Sequence, residues 1–181
     1  MARIAVQLAG LPDSVAGATI NRFCASGLQT VVQGVHSIAL GMNEVVLAGG
    51  SDCTSRVPMG GHQLAPNRAL LRSKPGAYHA MGQTAEAVAR RYGITREEQD
   101  AFALKSHQKA LAAREAGFFQ GHVVPVPTRV KDEAGEWHEV VLEQDEGPRP
   151  GTSLEKLAAL KTVFAEDEAA TVTAGNSSPL N

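Results

Sequence analysis

The chain has 181 residues, 43% hydrophobic and 20% charged, with 17 Lys and Arg against 19 Asp and Glu. This is the composition of an ordinary globular protein of one domain, or one domain with a large insertion, and it excludes a disordered tail and a fibre. A formal net charge of -2 with no run of Lys or Arg speaks against a nucleic-acid partner, and no apolar stretch reaches the length of a membrane span.

Taken from its start, Met1-Ala2-Arg3-Ile4-Ala5-Val6-Gln7 lacks the basic, apolar, small-residue order of a secretory leader, so the cytoplasm is the expected compartment. There Cys24 and Cys53 are expected to remain thiols. Residues 2–9 read as the end of a helix stopped by Gly10 and Pro12. Residues 18–23 read as a short buried strand through Thr19, Ile20 and Phe23. Ser26-Gly27-Leu28-Gln29 matches a capping box, and Leu28, Val31, Val32, Val35 and Ile38 follow at helical spacing up to Gly41. Residues 44–48 form a second apolar run before Gly49-Gly50. Strand, helix and strand with short joints predict a βαβ unit with parallel pairing and a right-handed crossover.

Residues 1–51 hold only four charged side chains, Arg3, Asp13, Arg22 and Glu44, which marks an interior segment. From Ser51 to about residue 80 no period is sustained, which predicts loop. Residues 84–92 then predict a helix ending at Gly93, and Thr95-Arg96-Glu97-Glu98 is a capping box for a longer one ending at Gly117. Residues 122–130 and 137–142 predict a hairpin across 132–135, whose acidic flank is a solvated face. Thr152-Ser153-Leu154-Glu155 caps a helix carrying Leu154, Leu157 and Phe164, and Thr171-Val172-Thr173 is strand-like.

The chemistry-bearing candidate is Cys24, which these assignments place where a strand enters the first turn of a helix. The positive end of a helix dipole favours a thiolate over a thiol, and amides of the same turn suit an oxyanion, as acyl transfer through a thioester requires. The competing reading of the residues alone is a small buried core thiol. Cys53, His62 and His79 lack the spacing of paired zinc ligands and read as loop residues. His36 reads as a structural histidine on a helix, and Gly49-Gly50 lacks the spacing of a dinucleotide fingerprint.

Asn21-Arg22-Phe23-Cys24-Ala25-Ser26-Gly27-Leu28-Gln29 resembles the nucleophile motif of the thiolases, the acetyl-CoA acetyltransferases and 3-ketoacyl-CoA thiolases. The resemblance continues in family order through Leu47-Ala48-Gly49-Gly50, Ser55-Arg56-Val57-Pro58-Met59-Gly60-Gly61 and Met81-Gly82-Gln83-Thr84-Ala85-Glu86. It extends through Glu97-Glu98-Gln99-Asp100-Ala101-Phe102-Ala103 and Val172-Thr173-Ala174-Gly175-Asn176-Ser177-Ser178. It implies a layered α/β thiolase fold, present in part, with an inserted α+β loop domain. Residues 1–51 would be the nucleophile-bearing part of the N-terminal domain, 52–168 the loop domain covering CoA, and 169–181 the returning segment.

The resemblance also implies a catalytic Cys24 that takes an acyl group from a 3-ketoacyl-CoA or acetyl-CoA and passes it to CoA or a second acetyl-CoA. Ser178 and Met81 would meet the pantetheine arm and Arg149 the nucleotide end. No cofactor or metal is implied beyond the CoA thioesters, and the partner is a further copy of the chain in a dimer or tetramer. Ala80 stands where some members carry His, with His79 one residue earlier. The family's Gly-His-Pro, Asn-Glu-Ala-Phe and Cys-x-Gly motifs are absent. The chain is therefore expected to be an interior piece of a thiolase, inactive alone. A non-catalytic CoA-binding or assembly fragment and a ketoacyl-synthase-like condensing enzyme are the alternatives.

Overall fold

The computed structural model describes residues 1–53, 56–58, 60–165, 167 and 169–178. Ser55 and Met59 of the quoted motifs lie outside the described residues. The chain divides into two compact units, Met1–Met59 and Gly60–Asn181. The segment 171–178 belongs to the second unit, where it bonds to Glu86 and Asp100.

In the first unit, helix α1 spans Ala2–Leu8 and helix α2 spans Ser26–Ala39. Residues 13–19 run against the start of α1. Arg3 donates to the carbonyls of Val15 and Asp13, Gln7 donates to the Asp13 carboxylate at 3.0 Å, and the Ala2 amide donates to Thr19 Oγ1 at 3.1 Å. Helix α2 ends as expected at Gly41, whose φ of +69° is a conformation that glycine adopts without steric cost.

Three expectations for this unit are corrected. Residues 18–23 and 44–48 carry no strand ladder, and no parallel pairing exists among the described residues. Alternation reports which side chains suit burial, but a strand also needs a neighbour's N–H and C=O groups, and neither segment has one here. The packing half of the βαβ reading survives, because Val46 lies against Gly34, the buried residue of α2. Ser26 is also not the N-cap of a box with Gln29: a 3-10 turn, Phe23–Ala25, precedes α2, so the helical path starts three residues earlier.

The second unit contains helices α3 (Arg68–Ser73), α4 (Met81–Tyr92), α5 (Arg96–Glu115) and α6 (Leu154–Ala158), and strands β1 (Val126–Lys131) and β2 (Trp137–Leu142). The capping box before α5 is complete: Thr95 Oγ1 accepts from the Glu98 amide at 3.2 Å, and Glu98 accepts from the Thr95 amide at 2.9 Å. Helix α4 starts at Met81 rather than at 84, because Gln83 accepts from the Ala80 amide at 3.0 Å and so closes the turn without a polar cap residue. Gly93, at φ +66°, stops it. Ser153 caps α6, which ends at Ala158, so Phe164 lies beyond the helix.

The hairpin pairs antiparallel with Val126 opposite Leu142 and Lys131 opposite Trp137. Lys131 Nζ lies 5.2 Å and Arg129 Cζ 6.0 Å from the Trp137 ring centroid, which ties the strands across one face.

The interior of this unit is partly polar. Ala89, Leu157 and Val172 are buried together with Glu86, Asp100 and Thr173. Burying a carboxylate costs several kcal/mol, roughly, unless its oxygens are fully bonded. Both are. Glu86 accepts from the Thr171 amide at 3.1 Å, the Thr171 hydroxyl at 3.1 Å and the Val172 amide at 2.9 Å. Asp100 accepts from Arg96 Nε at 2.8 Å and Asn176 Nδ2 at 3.0 Å.

Candidate active site

Cys24 is an exposed free thiol in the 3-10 turn that runs directly into α2. The burial that would make it a core thiol is absent. The turn is closed by its own side chains. Asn21 Oδ1 accepts from the Phe23 amide at 2.9 Å, and Ser26 Oγ accepts from the Arg22 amide at 2.8 Å while donating to the Phe23 carbonyl at 2.6 Å. Arg22 also donates to the Gln29 amide oxygen. Phe23 is held at φ +48°. A left-handed backbone costs a non-glycine residue about 1 kcal/mol or more and persists where the surroundings fix it. Here Asn21 and Ser26 grip it from both sides, immediately before the candidate nucleophile.

The motif residues Asn21, Arg22, Ser26 and Gln29 therefore build the turn, and Cys24 is exposed within it with its thiol outside these bonds. An exposed sulfur at the start of a 14-residue helix has the access and the favourable dipole end that a thiol nucleophile requires.

The other expected site residues belong to the second unit. Met81 is the exposed first residue of α4. The next residue, Gly82, lies on the Phe164 ring so closely that a Cβ would fall 2.2 Å from Phe164 Cγ. Ser178 is exposed at the end of the segment held by Glu86 and Asp100. Arg149 is exposed in the loop before α6, where its amide donates to His107 Nδ1 on α5 at 3.2 Å and its carbonyl accepts from the Thr152 hydroxyl at 2.9 Å. Met81 and Ser178 are thus carried by two segments, α4 and 171–178, that Glu86 binds to each other.

Cys53 is exposed, and its carbonyl accepts from the amides of Arg56 and Val57. His62 and His79 are exposed in loop and turn. Among the described residues no three His, Cys, Asp or Glu side chains gather into a group that could hold a metal ion, and no helix is long and apolar enough to cross a membrane.

The sequence reading passed over Glu86, Arg96 and the side-chain role of Asn176. The signal for Glu86 was available: it lies three residues before Ala89 on the buried face of an otherwise polar helix.

Residues 1–181 match the family model described as the N-terminal domain of thiolase. The chain is 47% identical to the 3-ketoacyl-CoA thiolase of Bacillus subtilis, over 98% of this chain and 46% of the relative. It is 42% identical to the human peroxisomal 3-ketoacyl-CoA thiolase, over 100% of this chain and 42% of the relative. Among solved structures, the Bacillus anthracis acetyl-CoA acetyltransferase superposes with a TM-score of 0.75 at 40% identity, covering 97% of this chain and 45% of that one. The dimeric peroxisomal thiolase of Saccharomyces cerevisiae superposes with a TM-score of 0.77 at 31% identity, covering 96% of this chain and 43% of that one. The chain spans less than half the length of these relatives.

Proposed function

The chain belongs to the thiolase family and has its α/β fold, and on that premise we propose that Cys24 is the acyl-accepting nucleophile of an acyl-CoA acyltransferase. The observation that carries the proposal is the exposed thiol in a turn fixed by Asn21 and Ser26 at the head of α2. In the degradative direction, the Cys24 thiolate attacks the 3-keto carbonyl of a 3-ketoacyl-CoA. The bond between the α-carbon and that carbonyl breaks, the acyl group stays on sulfur, and the departing acetyl-CoA carbanion takes up a proton. The thiolate of free CoA then attacks the thioester carbon and releases acyl-CoA and the Cys24 thiolate. In the biosynthetic direction a second acetyl-CoA carbanion is the acceptor.

Ser178 and Met81 meet the pantetheine arm in this proposal, and Arg149 faces the nucleotide phosphates, for which an exposed guanidinium is chemically suited. No cofactor is required beyond the CoA thioesters. The compartment is the cytoplasm and the assembly a homo-oligomer, a dimer or tetramer. The dimeric yeast relative supports the second point, and the human and yeast relatives are named as peroxisomal. The general base, the oxyanion-site Asn and the second acid/base Cys known from the family have no counterpart motif in this sequence, so the chain alone acylates at most once and does not turn over.

Incubation with acetoacetyl-CoA followed by intact-mass and peptide analysis tests the proposal. One acetyl increment on Cys24, lost in Cys24→Ser, is expected. Absence of label on Cys24, or label on Cys53 instead, overturns the nucleophile assignment, and sustained turnover with CoA overturns the inactivity of the chain alone.

A further inference from the structure

We infer that Asn176 is a positioning residue that sets the reach of Ser178 towards CoA, acting as the link through which Asp100 holds the 171–178 segment, whose start Glu86 fixes directly; this rests on the reading that Ser178 meets the pantetheine arm. Every hydrogen-bonding group of the Asn176 carboxamide is used. Its Oδ1 accepts from the Thr173 amide at 2.8 Å, and its Nδ2 donates to Asp100 Oδ1 at 3.0 Å and to the Thr171 carbonyl at 3.0 Å.

The backbone around it is turned back on itself. The amides of Gly175 and Asn176 donate to Thr173 Oγ1 at 3.1 Å and 3.3 Å, and the Ser177 hydroxyl donates to the Thr173 carbonyl at 2.7 Å. Thr173 is fully buried, so this knot cannot slide. One side of it is fixed to α4 through Glu86, the other to α5 through Asp100, and the exposed Ser178 emerges directly from it. A polar core costs more to assemble than an apolar one of the same shape, and its return is a single allowed geometry. Here the geometry so specified is that of Ser178.

The measurement is CoA affinity of the 181-residue chain by calorimetry, alongside its melting temperature. Asn176→Asp is isosteric but turns both donated bonds into oxygen–oxygen contacts, one of them with Asp100. It is expected to weaken CoA binding at least tenfold, whereas Gly93→Ala, which strains the end of α4, lowers the melting temperature and leaves affinity unchanged. The swap Asp100→Asn with Asn176→Asp restores a donor between the two positions and is expected to recover part of the affinity. Ser178→Ala is expected to weaken CoA binding without changing the melting temperature.

If Ser178→Ala weakens binding but Asn176→Asp binds as Gly93→Ala does, the positioning inference fails and the CoA reading stands. If Ser178→Ala binds like the parent chain, or the parent chain does not bind CoA, the reading itself fails and the inference with it. Should Asn176→Asp not fold, Ser177→Ala removes only the bond to the Thr173 carbonyl. An affinity lowered severalfold supports the inference, and an unchanged one overturns it.

Discussion

Gly34 and Val46 touch: a Cβ built on Gly34 would lie 3.1 Å from Val46 Cγ1, so the apolar run 44–48 crosses α2 at a mid-helix position that has no side chain. Replacing a mid-helix glycine by alanine ordinarily stabilises a helix by about 1 kcal/mol. At Gly34 that gain is opposed by the need to move Val46 by a few tenths of an ångström. In a double-mutant cycle, Gly34→Ala alone is therefore expected to fall short of the propensity gain. Added to Val46→Ala it should show the gain in full, a coupling of roughly 0.5 kcal/mol or more in urea unfolding. Strict additivity would mean that the two residues do not touch in solution.

Arg96 lies at a second junction, where its Nε bonds Asp100 at 2.8 Å while one terminal nitrogen donates to the carbonyls of Leu157 at 2.7 Å and Leu160 at 3.1 Å. The planar fork reaches α6 and the carboxylate at once, which a lysine ammonium cannot. Arg96→Lys is expected to cost about 1–3 kcal/mol, and Arg96→Ala about 3–5 kcal/mol because Asp100 is left as a buried carboxylate with only Asn176. Chemical denaturation of both variants checks the order. A lysine variant as stable as the parent would mean that charge alone, and not the fork, holds α6 to α5.

These two contacts mark where sequence reading stops. The caps at Thr95 and Ser153 and the stops at Gly41, Gly93 and Gly117 were legible because each acts within a few residues of itself. The hairpin was legible for the same reason. The lack of strand pairing at 18–23 and 44–48 was not, because pairing depends on a neighbour that local periodicity does not name. Ser26 looked like a helix cap by spacing, yet its hydroxyl serves the preceding turn, a choice fixed by the left-handed Phe23. Glu86, Asp100 and Asn176 sat inside recognisable motifs, but their purpose lies in contacts 76 to 86 residues apart, beyond any local pattern. Cys24 was picked out by its place before a helix start, and the match of the residues around it to a known motif favoured the nucleophile over the core thiol.

The Ser26 hydroxyl makes two of the bonds that close the turn presenting Cys24. Ser26→Ala removes the acceptor of the Arg22 amide and the donor to the Phe23 carbonyl, two bonds of about 0.5–1.5 kcal/mol each. The Arg22 amide is then expected to exchange with solvent tenfold faster or more, since about 1.4 kcal/mol corresponds to a factor of ten. Phe23→Val places a β-branched residue at positive φ and is expected to cost about 1 kcal/mol more than Phe23→Ala. Native-state hydrogen exchange reads both. Unchanged exchange at Arg22 in Ser26→Ala would show that the turn is held by something other than this hydroxyl.

The β1–β2 turn carries an acid-sensitive clamp with a definite sign. Asp132 Oδ2 lies 2.6 Å from His138 Nε2, and its Oδ1 accepts from the Glu136 amide at 2.9 Å. These bonds, the one to His138 foremost, hold the Asp132 carboxyl below its ordinary value of 3.8. A carboxyl more acidic in the folded hairpin than in the open chain stabilises the hairpin above the ordinary value, and that contribution disappears as pH falls through the lowered one. The turn is therefore expected to keep its geometry from neutral pH down to the ordinary aspartate range and to loosen below it. The chemical shift of the Glu136 amide and Trp137 fluorescence report on this turn alone. That separates it from Glu97 and Glu155, which are lowered in the same direction, Glu97 chiefly by a backbone amide and Glu155 chiefly by the Ser153 hydroxyl. Asp132→Asn should abolish the acid transition at Glu136 while leaving the β1–β2 register intact. A transition of the same amplitude in that variant would assign it to His138 or to Glu136 itself, and the clamp would have no part in it.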